Sequence, residues 1–425
     1  MSKDRRVVIT GLGVVAPNAI TIHDFHKALL TGTSGLKHQK KLEELQFKCQ
    51  VAGKPQLTQE IIDQHFTALQ QRGLLATGLM YGVISAKQAF ENSGIDFKNK
   101  SYHEDIGVVF GTGQSGGDKF REAIHHIDDN NVRRLGSTSV IQTMSSGVSA
   151  WISGELGLGN WVTTNSSACS TGTEALLMGY DRIKSGKARG MLVGSCSDSG
   201  PYIWGGFDAM RILPTKYNDK PEMASRPFSH DACGFVPGSG AGCLVLETLE
   251  SALSRKATIY AEVKGGHLNS GGQTNGGSMT APNGLAVQAC IKTALIESKI
   301  DSSQIDVING HITATSKDGF EVKNWSAALN RSGKDFPFIN SFKSTIGHCL
   351  AASGSIELVG STLQLHHQVV YPNINISQLH PEIVSVIDKE KVPLKPIKTK
   401  IHSLAKASFG FGDVNACAIL STFKP

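Results

Sequence analysis

Short runs of β-branched and other apolar residues alternate along the chain with segments whose apolar positions recur at helical spacing. The runs at 7–10, 106–110 and 191–194 are almost continuously apolar, as expected of strands that are buried on both faces. Residues 72–94 and 139–156 combine small and apolar residues in the pattern of buried helices. The alternation predicts an α/β fold in which helices cover central sheets.

A charged break near residue 255 divides the chain into two stretches with a similar order of elements. After the break come a predicted strand at 259–263, a loop rich in glycine, serine and asparagine, a helix at 284–298 and a strand at 305–308. We therefore predict a structural duplication, although no repeat is visible residue by residue. The two predicted units are residues 1–255 and 256–425.

The composition is that of an ordinary globular protein with an excess of glycine, 46 residues in 425. The sequence contains no run of about 18 apolar residues, so we predict no membrane-spanning helix. Its first residues are charged and lack the apolar segment of a signal peptide, which indicates a cytoplasmic protein. The net charge of +6 is dispersed along the chain and argues against nucleic-acid binding, but it suits a weakly attracted acidic partner.

Eight cysteines are scattered singly, so the sequence predicts neither a disulfide framework nor a CxxC zinc site. One of them, Cys169, follows a polar stretch of small residues at 165–168 and precedes a helical pattern that ends near Gly186. Cys169 is therefore expected at or just before a helix N-terminus, where free amides and the helix dipole favour a thiolate. We predict that Cys169 is a nucleophile and that the other cysteines are buried and inert.

Two histidines follow predicted strands and lie in loops that contain glycine. His311 shares its loop with Thr313 and Thr315, which is a normal place for a catalytic imidazole in an α/β fold. His348 comes five residues after Lys343, across a polar turn. A lysine close to two imidazoles would keep both of them neutral. Taken alone, either histidine is also compatible with a structural role.

Two glycine-rich stretches need separate interpretations. Residues 409–412, Phe-Gly-Phe-Gly, form an aromatic-tipped loop that is either a flexible element beside a site or a plain turn. Residues 111–116 match the GxGxxG pattern after a strand, but no acidic residue ends a following strand about 20 residues on. We therefore exclude dinucleotide binding at 111–116.

These motifs, in this order, resemble those of the β-ketoacyl-ACP synthases. The similarity is to the elongating enzymes with a Cys-His-His site, such as synthases I and II and the ketosynthases of type II polyketide systems. It covers essentially the whole chain, and segments 226–228, 234–236 and 238–242 also match the family signature. The resemblance implies a thiolase fold, with duplicated βαβ-type halves in a five-layered αβαβα arrangement and a dimeric assembly.

The resemblance also implies an activity, the decarboxylative Claisen condensation. Cys169 would accept an acyl chain from the thioester of an acyl carrier protein. His311 and His348 would hydrogen-bond the thioester carbonyl of a malonyl-type extender and stabilise the enolate that forms as carbon dioxide leaves. The carbanion would then attack the carbonyl of the acyl-Cys169. Lys343 and Glu321 would order the two histidines.

The same resemblance assigns supporting residues. The backbone amides of Cys169 and Phe411 would form an oxyanion hole, and Phe411, with Phe409 beside it, would gate access to the nucleophile. Thr313 and Thr315 would contact the phosphopantetheine arm of the carrier. The resemblance implies no bound cofactor and no metal, because the substrates are carried on that arm. The cations expected to dock the acidic carrier protein are Arg133, Arg134 and Arg211.

The sequence departs from the family pattern in two loops. After His311 the family has small residues where this chain has Ile312 and Ala314, and the loop looks one residue short before Asp318. A β-branched residue in place of glycine restricts the backbone. In the late loop, Asp413 introduces a carboxylate beside the expected gate. Because we expect these changes to cluster at the extender site, we predict a specialised synthase of a polyketide, polyene or pigment-like chain, not housekeeping fatty-acid elongation.

Two alternatives stay open. Related systems pair a ketosynthase with an inactive chain-length factor that shapes the dimer tunnel and usually lacks the cysteine. Because Cys169 is present, the resemblance favours an enzyme, either as a homodimer or as a heterodimer with such a subunit. A thiolase-like enzyme would use a second cysteine near the C-terminus as base, where Cys417 lies, but two histidines and Lys343 favour the decarboxylating type.

Overall fold

The computed structural model describes residues 5–96 and 102–424. Within this part of the chain lie fourteen strands: β1 (Val7–Val15), β2 (Leu36–His38), β3 (Val51–Gly53), β4 (Ile106–Thr112), β5 (Val162–Thr163), β6 (Gly190–Ser197), β7 (Gly240–Thr248), β8 (Ala261–Ser270), β9 (Ile305–Asn309), β10 (Phe338–Asn340), β11 (Val369–Val370), β12 (Ile397–Lys398), β13 (Ser403–Gly410) and β14 (Val414–Ser421).

The same described residues contain sixteen α-helices: α1 (Ile22–Thr31), α2 (Lys40–Glu44), α3 (Gln59–His65), α4 (Ala68–Gln71), α5 (Thr77–Ser93), α6 (Gly117–Asp128), α7 (Ser139–Thr143), α8 (Gly147–Leu156), α9 (Thr171–Lys184), α10 (Pro201–Ala209), α11 (Leu249–Ser254), α12 (Gly284–Ser298), α13 (Asp318–Leu329), α14 (Lys343–Ile346), α15 (Ser353–His367) and α16 (Pro381–Val384). Short 3-10 helices lie at Val132–Arg134, Ala168–Ser170, Pro221–Met223, Ser302–Gln304, Leu350–Ala352 and Lys389–Lys391.

Ten of the described strands form one mixed sheet in the order β10-β9-β13-β14-β8-β1-β7-β6-β4-β5. The sheet consists of two halves of five strands each, which join where β1 pairs with β8 over residues 7–9. Apart from insertions, each half reads strand, helix, strand, helix, strand, helix, strand, strand along the chain. In both halves the third strand lies at the edge, followed by the second, fourth, fifth and first. The duplication predicted from the sequence is therefore present in the topology, whereas a domain boundary at residue 255 stays a prediction.

The helices form three layers around these two sheet halves. α9 and α15 pack against each other in the centre, where α9 contacts β4 and β6 and α15 contacts β7 and β13. α5 and α8 cover the outer face of the N-terminal half, and α12, with α13 beside it, covers that of the C-terminal half. The five-layered αβαβα arrangement of a thiolase fold is thus confirmed. None of the helices in the described ranges is long and apolar enough to cross a membrane.

The two central helices approach closely where they begin, because glycines face each other there. A Cβ atom added to Gly172 would lie 2.2 Å from the backbone nitrogen of Ser355. One added to Gly354 would lie 2.7 Å from the backbone nitrogen of Thr173. A larger side chain at either position would push the helices apart. The crossing therefore brings the residues just before both helices to one place in the fold.

Two predicted elements differ from the structure. The helix predicted at 139–156 is two helices, α7 and α8, because the backbone of Met144 is extended, with ψ at 139°. The strand predicted at 259–263 begins at Ala261 and continues to Ser270, since its second part pairs with β14. Cross-strand pairing thus extends a strand into glycine- and asparagine-rich sequence that local pattern alone assigns to a loop.

Candidate active site

The nucleophile position is built by a tight turn before α9. Cys169 lies in the 3-10 helix Ala168–Ser170, which leads directly into α9, as the sequence predicted. The turn starts with Ala168 at φ 50°, a left-handed conformation that is uncommon for a residue other than glycine. The hydroxyl of Ser170 donates to the carbonyl oxygen of Ser408 at 3.1 Å and so fastens the turn to β13. Half-buried Cys169 is therefore held by both halves of the molecule.

The C-terminal half brings two imidazoles to this thiol. His311 follows β9, and His348 precedes the 3-10 helix at the start of α15. Cys169 Sγ and one ring nitrogen from each histidine all lie within 4.8 Å of one another. The two rings meet edge to face, with centroids 5.4 Å apart. We call Cys169, His311 and His348 the catalytic trio, after the role that the sequence predicts for them.

Hydrogen bonds fix the tautomer of His348. Its Nδ1 accepts the backbone N–H of Leu350 at 3.0 Å, and the hydroxyl of Ser353 lies 3.0 Å from the same nitrogen. The proton of the neutral ring is therefore on Nε2, which makes Nε2 a donor. A thiol and two imidazoles could also bind zinc. Zinc binding through Nε2 of His348 would need a free lone pair on that nitrogen, but in this tautomer the nitrogen carries the proton. The Nδ1 atom of His311 is buried and has no hydrogen-bond partner among the described residues.

Both imidazoles are neutral at physiological pH. Burial and the positive charges of Lys343 and Lys406 hold the pKa of His311 and His348 well below the usual value for histidine. The direction agrees with the predicted effect of Lys343. A neutral ring can donate one hydrogen bond through a fixed nitrogen, which is what a developing oxyanion requires.

Lys343 acts through its charge and not through a hydrogen bond to either histidine. Its ammonium group pairs with Glu357, and Lys406 Nζ lies 2.9 Å from the other carboxylate oxygen of Glu357. All three side chains are buried. Sequence reasoning missed Glu357 and Lys406. Both could have been noticed in the sequence, because each is a charged residue among small ones. Glu357 lies near the start of a predicted helix, and Lys406 lies in a strand.

Glu321 orders the loop of His311 through the backbone. Its carboxylate accepts the N–H groups of His311 and Ile312, both at 2.7 Å. Burial raises the pKa of Glu321 to about 7, against the opposing effect of these two hydrogen bonds. Asp318 holds the next part of the loop by accepting the backbone N–H of Thr313 at 3.1 Å. The predicted ordering role of Glu321 therefore concerns the loop backbone and not the imidazole itself.

The thiol of Cys169 is not a ready-made thiolate. Burial raises its pKa to about 11, while the charge of Lys343 and the backbone amides of Phe411 and Cys169 act in the opposite direction. The helix-terminus argument predicted a favoured thiolate, but desolvation outweighs it in this site. The two amides that face the sulfur are those expected to form the oxyanion hole.

Two cavities meet at Cys169. The first, of about 270 Å³, is lined by the catalytic trio together with Thr313 and Thr315. The second, of about 210 Å³, extends from Cys169 to residues that include Gly113, Gln114, Ile203 and Phe207. Four residues line both cavities: Cys169, Phe235, His348 and Phe411. Phe411 thus lies between the two cavities, at the place expected of a gate, and Phe409 lines the first cavity with its ring centroid 6.2 Å from that of His311.

The loop substitutions that set this chain apart do not line either cavity among the described residues. Ile312 is buried in the apolar cluster under α12 and α13, and Ala314 is buried with φ at 65°. Asp413 is also buried, and its carboxylate accepts the N–H groups of Gln273 at 3.0 Å and Asn283 at 2.8 Å. The expectation that these changes face the extender is therefore wrong, because each side chain is used inside the protein.

The predicted docking cations lie on two surface segments. Arg133 and Arg134 are exposed on the 3-10 helix Val132–Arg134. Arg211 is exposed between Met210 and Ile212, which both line the first cavity. A recess of about 320 Å³ beside Arg211 is also lined by Lys48 and Lys216, which sequence reasoning missed, and by Asp208. Arg211 is therefore flanked in sequence by two residues that line the first cavity.

The structure gives no support to the thiolase-like alternative and agrees with the exclusion of dinucleotide binding. Cys417, the possible second base, is buried in β14 and lines neither cavity of the described residues, and burial raises its pKa to about 12. At the GxGxxG segment, the amides of Gly116 and Gly117 donate to the Asp198 carboxylate at 2.5 and 3.2 Å. A negative group of the protein thus already occupies the helix start that a phosphate would use.

A thiol and two neutral imidazoles at the junction of duplicated halves define a thiolase-fold condensing enzyme. Models of the beta-ketoacyl synthase N-terminal and C-terminal domains match residues 4–252 and 260–377. The chain belongs to the β-ketoacyl synthase family. It is accordingly an acyltransferase of the decarboxylating 3-oxoacyl-[acyl-carrier-protein] synthase class, as the sequence predicted.

Individual relatives agree with this assignment. The chain is 31% identical over 426 residues to 3-oxoacyl-[acyl-carrier-protein] synthase I, chloroplastic, of Arabidopsis thaliana, covering 99% of this chain and 87% of that protein. It is 30% identical over 425 residues to 3-oxoacyl-[acyl-carrier-protein] synthase 1 of Escherichia coli strain K12, covering 99% and 100%. It also matches a solved type II polyketide synthase acyl-carrier protein in complex with its ketosynthase bound to the hexaketide. That match has a TM-score of 0.87, 27% identity and coverage of 99% and 100%.

Proposed function

We propose that this chain elongates a Cys169-bound acyl group with a malonyl-type unit carried on an acyl carrier protein, using the catalytic trio. The observation that carries the proposal is the approach of one thiol and two imidazole nitrogens to within 4.8 Å, where two cavities meet. One cavity is lined by Met210 and Ile212, on either side of Arg211 in the sequence, and the other extends from the thiol to Ile203 and Phe207. This arrangement suits a reaction in which one acyl group is transferred to the sulfur and a second, carrier-bound group then reacts with it.

In the first step the Cys169 sulfur attacks the thioester carbonyl of the acyl carrier. The backbone N–H groups of Cys169 and Phe411 donate to the oxyanion of the tetrahedral intermediate. The bond from the carbonyl carbon to the carrier sulfur then breaks, and the proton of the Cys169 thiol leaves with the carrier thiol. Because burial raises the pKa of the free thiol, the proton has to be removed from the sulfur for the attack to occur.

In the second step the malonyl thioester occupies the first cavity. His348 Nε2–H and the His311 ring donate to its carbonyl oxygen, which becomes the enolate oxygen as the carbon–carbon bond to the carboxylate breaks and carbon dioxide leaves. The enolate carbon attacks the acyl-Cys169 carbonyl. Collapse of that intermediate releases the Cys169 sulfur, which takes up a proton, and leaves a β-ketoacyl thioester on the carrier.

Carrier docking and assembly follow as parts of the proposal. Arg211, with Lys48 and Lys216 in the adjoining recess, offers positive charge beside the first cavity to an acidic carrier protein. Arg133 and Arg134 are proposed as a second contact. The relative solved in complex with an acyl-carrier protein supports carrier binding as a family property. A dimer, with itself or with a chain-length-factor-like subunit, and a cytoplasmic location stay predictions.

We also propose that the chain acts in a specialised polyketide, polyene or pigment-like pathway. The altered side chains at 312, 314 and 413 are buried, so the proposal is supported by the similarity to a type II polyketide ketosynthase. The relatives that match include both a chloroplastic 3-oxoacyl-[acyl-carrier-protein] synthase and a type II polyketide ketosynthase. The acyl group that Cys169 accepts as a primer is therefore the property that separates a fatty-acid from a polyketide pathway.

Intact-mass spectrometry tests the proposal directly. The purified protein is incubated with acyl-carrier thioesters of fatty and of polyunsaturated or polyketide type, and then with malonyl carrier. We expect a mass gain equal to one acyl group, which disappears as a longer β-ketoacyl carrier forms. Cys169→Ala should show no gain, whereas Cys417→Ala, a matched change at a buried cysteine, should behave like the native protein. No acylation with any primer would favour the structural-subunit alternative, and full turnover with ordinary fatty primers would contradict the specialised pathway.

A further inference from the structure

A second buried lysine lies behind the catalytic trio. Lys406, on β13, is 0% exposed, and its Nζ atom lies 2.9 Å from Glu357 Oε2. The same ammonium donates to the hydroxyl of Ser408 at 3.1 Å and to the carbonyl oxygen of Ala407. An ammonium has three donors, and three oxygens surround this one. The surroundings therefore fit a charged lysine, although burial lowers its pKa.

Lys406 changes the charge of the buried network. Lys343 pairs with one oxygen of Glu357 and Lys406 with the other, so two cations share one carboxylate. A single pair of lysine and glutamate would be neutral, whereas these three groups carry one net positive charge. Solvent screens that charge weakly, because all three side chains are buried.

The unbalanced charge lies close to the imidazoles, because Lys406 on β13 is paired in register with Asn309 on β9, two residues before His311. Lys343 and Lys406 are the lysines whose charge lowers the pKa of His311 and of His348, each adding to the effect of burial. Other titratable groups also face this region of the described structure. They are Cys169 before α9, Cys349 beside His348, Asp318 and Glu321 on α13, Glu357 on α15 and Cys417 on β14.

We propose that Lys406 is a positioning residue that leaves one unbalanced positive charge beneath the catalytic trio and so keeps both imidazoles neutral and able to donate hydrogen bonds. The inference rests on the proposed function, because neutral donor rings matter for the thioester carbonyl of the extender. Lys406 lines neither cavity of the described residues and acts through His311 and His348. It also steadies Ser408, whose hydroxyl lies 2.9 Å from that of Thr173 on α9.

The test is the pH dependence of Lys406→Met, measured as release of labelled carbon dioxide from malonyl carrier protein. Without the cation the imidazoles protonate at higher pH. The fall of kcat on the acid side of its pH profile, here called the acid limb, should therefore move to higher pH by about one unit. KM for the malonyl carrier should stay unchanged. Lys119→Met is the matched control, since Lys119 is 3% exposed and ion-paired with Glu122 away from the site. Its acid limb should coincide with that of the native protein.

A double variant separates charge from packing. Lys406→Met with Glu357→Gln restores one net positive charge through Lys343, and the acid limb should return toward that of the native protein. An acid limb of Lys406→Met that coincides with the native one would overturn the proposal. If Lys406→Met does not fold, Glu357→Gln provides the test of the charge network. Loss of the carboxylate makes the network more positive, so the acid limb should move to lower pH. A limb that stays in place or moves upward in Glu357→Gln would equally overturn the proposal.

Titration of histidine-selectively labelled protein, followed by NMR, gives a readout that needs no turnover. The two imidazoles of the site should titrate about one pH unit higher in Lys406→Met than in the native protein. If the native protein releases no carbon dioxide, the proposed function fails, while the NMR titration still decides the role of Lys406. Identical histidine titrations in both proteins would overturn the inference even where turnover is normal.

Discussion

The two halves of the molecule share one topology but place different chemistry at equivalent positions. The helix that follows the third strand begins at the site in both halves, as α9 and as α15. Cys169 lies two residues ahead of this helix in the N-terminal half, and His348 lies five residues ahead of it in the C-terminal half. The loop after the second strand carries Gly113 and Gln114 in one half and His311 in the other. The two halves thus share a backbone arrangement but carry different side chains at the site. The N-terminal half carries the proposed nucleophile, and the C-terminal half carries the two proposed hydrogen-bond donors.

The halves also differ in the charges that they bring to the site. The network that tunes the imidazoles, formed by Lys343, Glu357 and Lys406, lies entirely in the C-terminal half. The N-terminal half contributes the backbone amide of Cys169, proposed for the oxyanion hole, and most of the residues that line the second cavity. Under the proposed function, the N-terminal half accepts the acyl chain and the C-terminal half activates the extender. The two half-reactions should therefore be separable by mutation.

Cys169→Ala should break the N-terminal function completely. Without the sulfur no acyl enzyme forms, so condensation should fall by at least about 1000-fold. Release of carbon dioxide from malonyl carrier should persist within about tenfold, because the histidines remain in place. Intact mass and carbon dioxide release measure the two effects. The matched control is Cys233→Ala, because Cys233 is also half-buried. Acylation that survives in Cys169→Ala would show that a different residue is the nucleophile.

His348→Ala should produce the opposite separation. Loss of one hydrogen-bond donor to the enolate should lower carbon dioxide release by about 100- to 1000-fold, whereas acylation of Cys169 should continue. His380→Ala is a close control, because His380 Nδ1 accepts the backbone N–H of Glu382 in the same local pattern, away from the site. Equal loss of both half-reactions in His348→Ala would contradict the division between the halves.

The parts of the site that local pattern encodes could be predicted from the sequence. Cys169 at a helix start and the histidines after strands follow from neighbouring residues, and the resemblance supplied their joint role. The network of Glu357 and Lys406 could not be predicted, because its members come from different elements and because burial of a charge depends on tertiary packing. Asp413 was misplaced for the same reason: its partners at 273 and 283 are brought to it by the fold. The helix break at Met144 depends on packing that periodicity does not report.

The crossing of the central helices is tested by Gly172→Ala. Its new Cβ would lie 2.2 Å from the backbone of Ser355, so α9 and α15 must separate. We expect a loss of about 2 kcal/mol in the free energy of unfolding and reduced condensation, since Cys169 and His348 lie just before the two helices. Gly154→Ala is the control, because a Cβ there has nothing within 4 Å and alanine favours the helix by about 1 kcal/mol. Thermal unfolding of both variants measures the difference, and equal stability would contradict the close crossing.

Asp413→Asn tests how firmly the gate loop at 409–413 is tied to the loop at 271–283. Asparagine keeps the size and tolerates the φ of 61° at this position, but one of its two acceptor oxygens becomes an NH2 group that faces a backbone N–H. The buried amide of Gln273 or Asn283 then loses its partner, which costs about 1–3 kcal/mol locally. Since Thr280 and Pro282 line the first cavity, we expect faster hydrogen exchange at 271–283 and a KM for malonyl carrier raised by a few fold.

The change should leave acylation of Cys169 nearly unaffected, because the nucleophile turn is fastened through Ser170 and not through Asp413. Asp301→Asn is the matched control: Asp301 also accepts a backbone N–H, from Ser303 at 2.9 Å, but it caps an exposed turn where asparagine serves equally well. Unchanged exchange at 271–283 in Asp413→Asn would mean that Gly412, which donates to the carbonyl of Met279 at 2.8 Å, holds the two loops together without the carboxylate. The gate would then depend on backbone contacts alone, and the aspartate would be a local substitution without influence on the extender half.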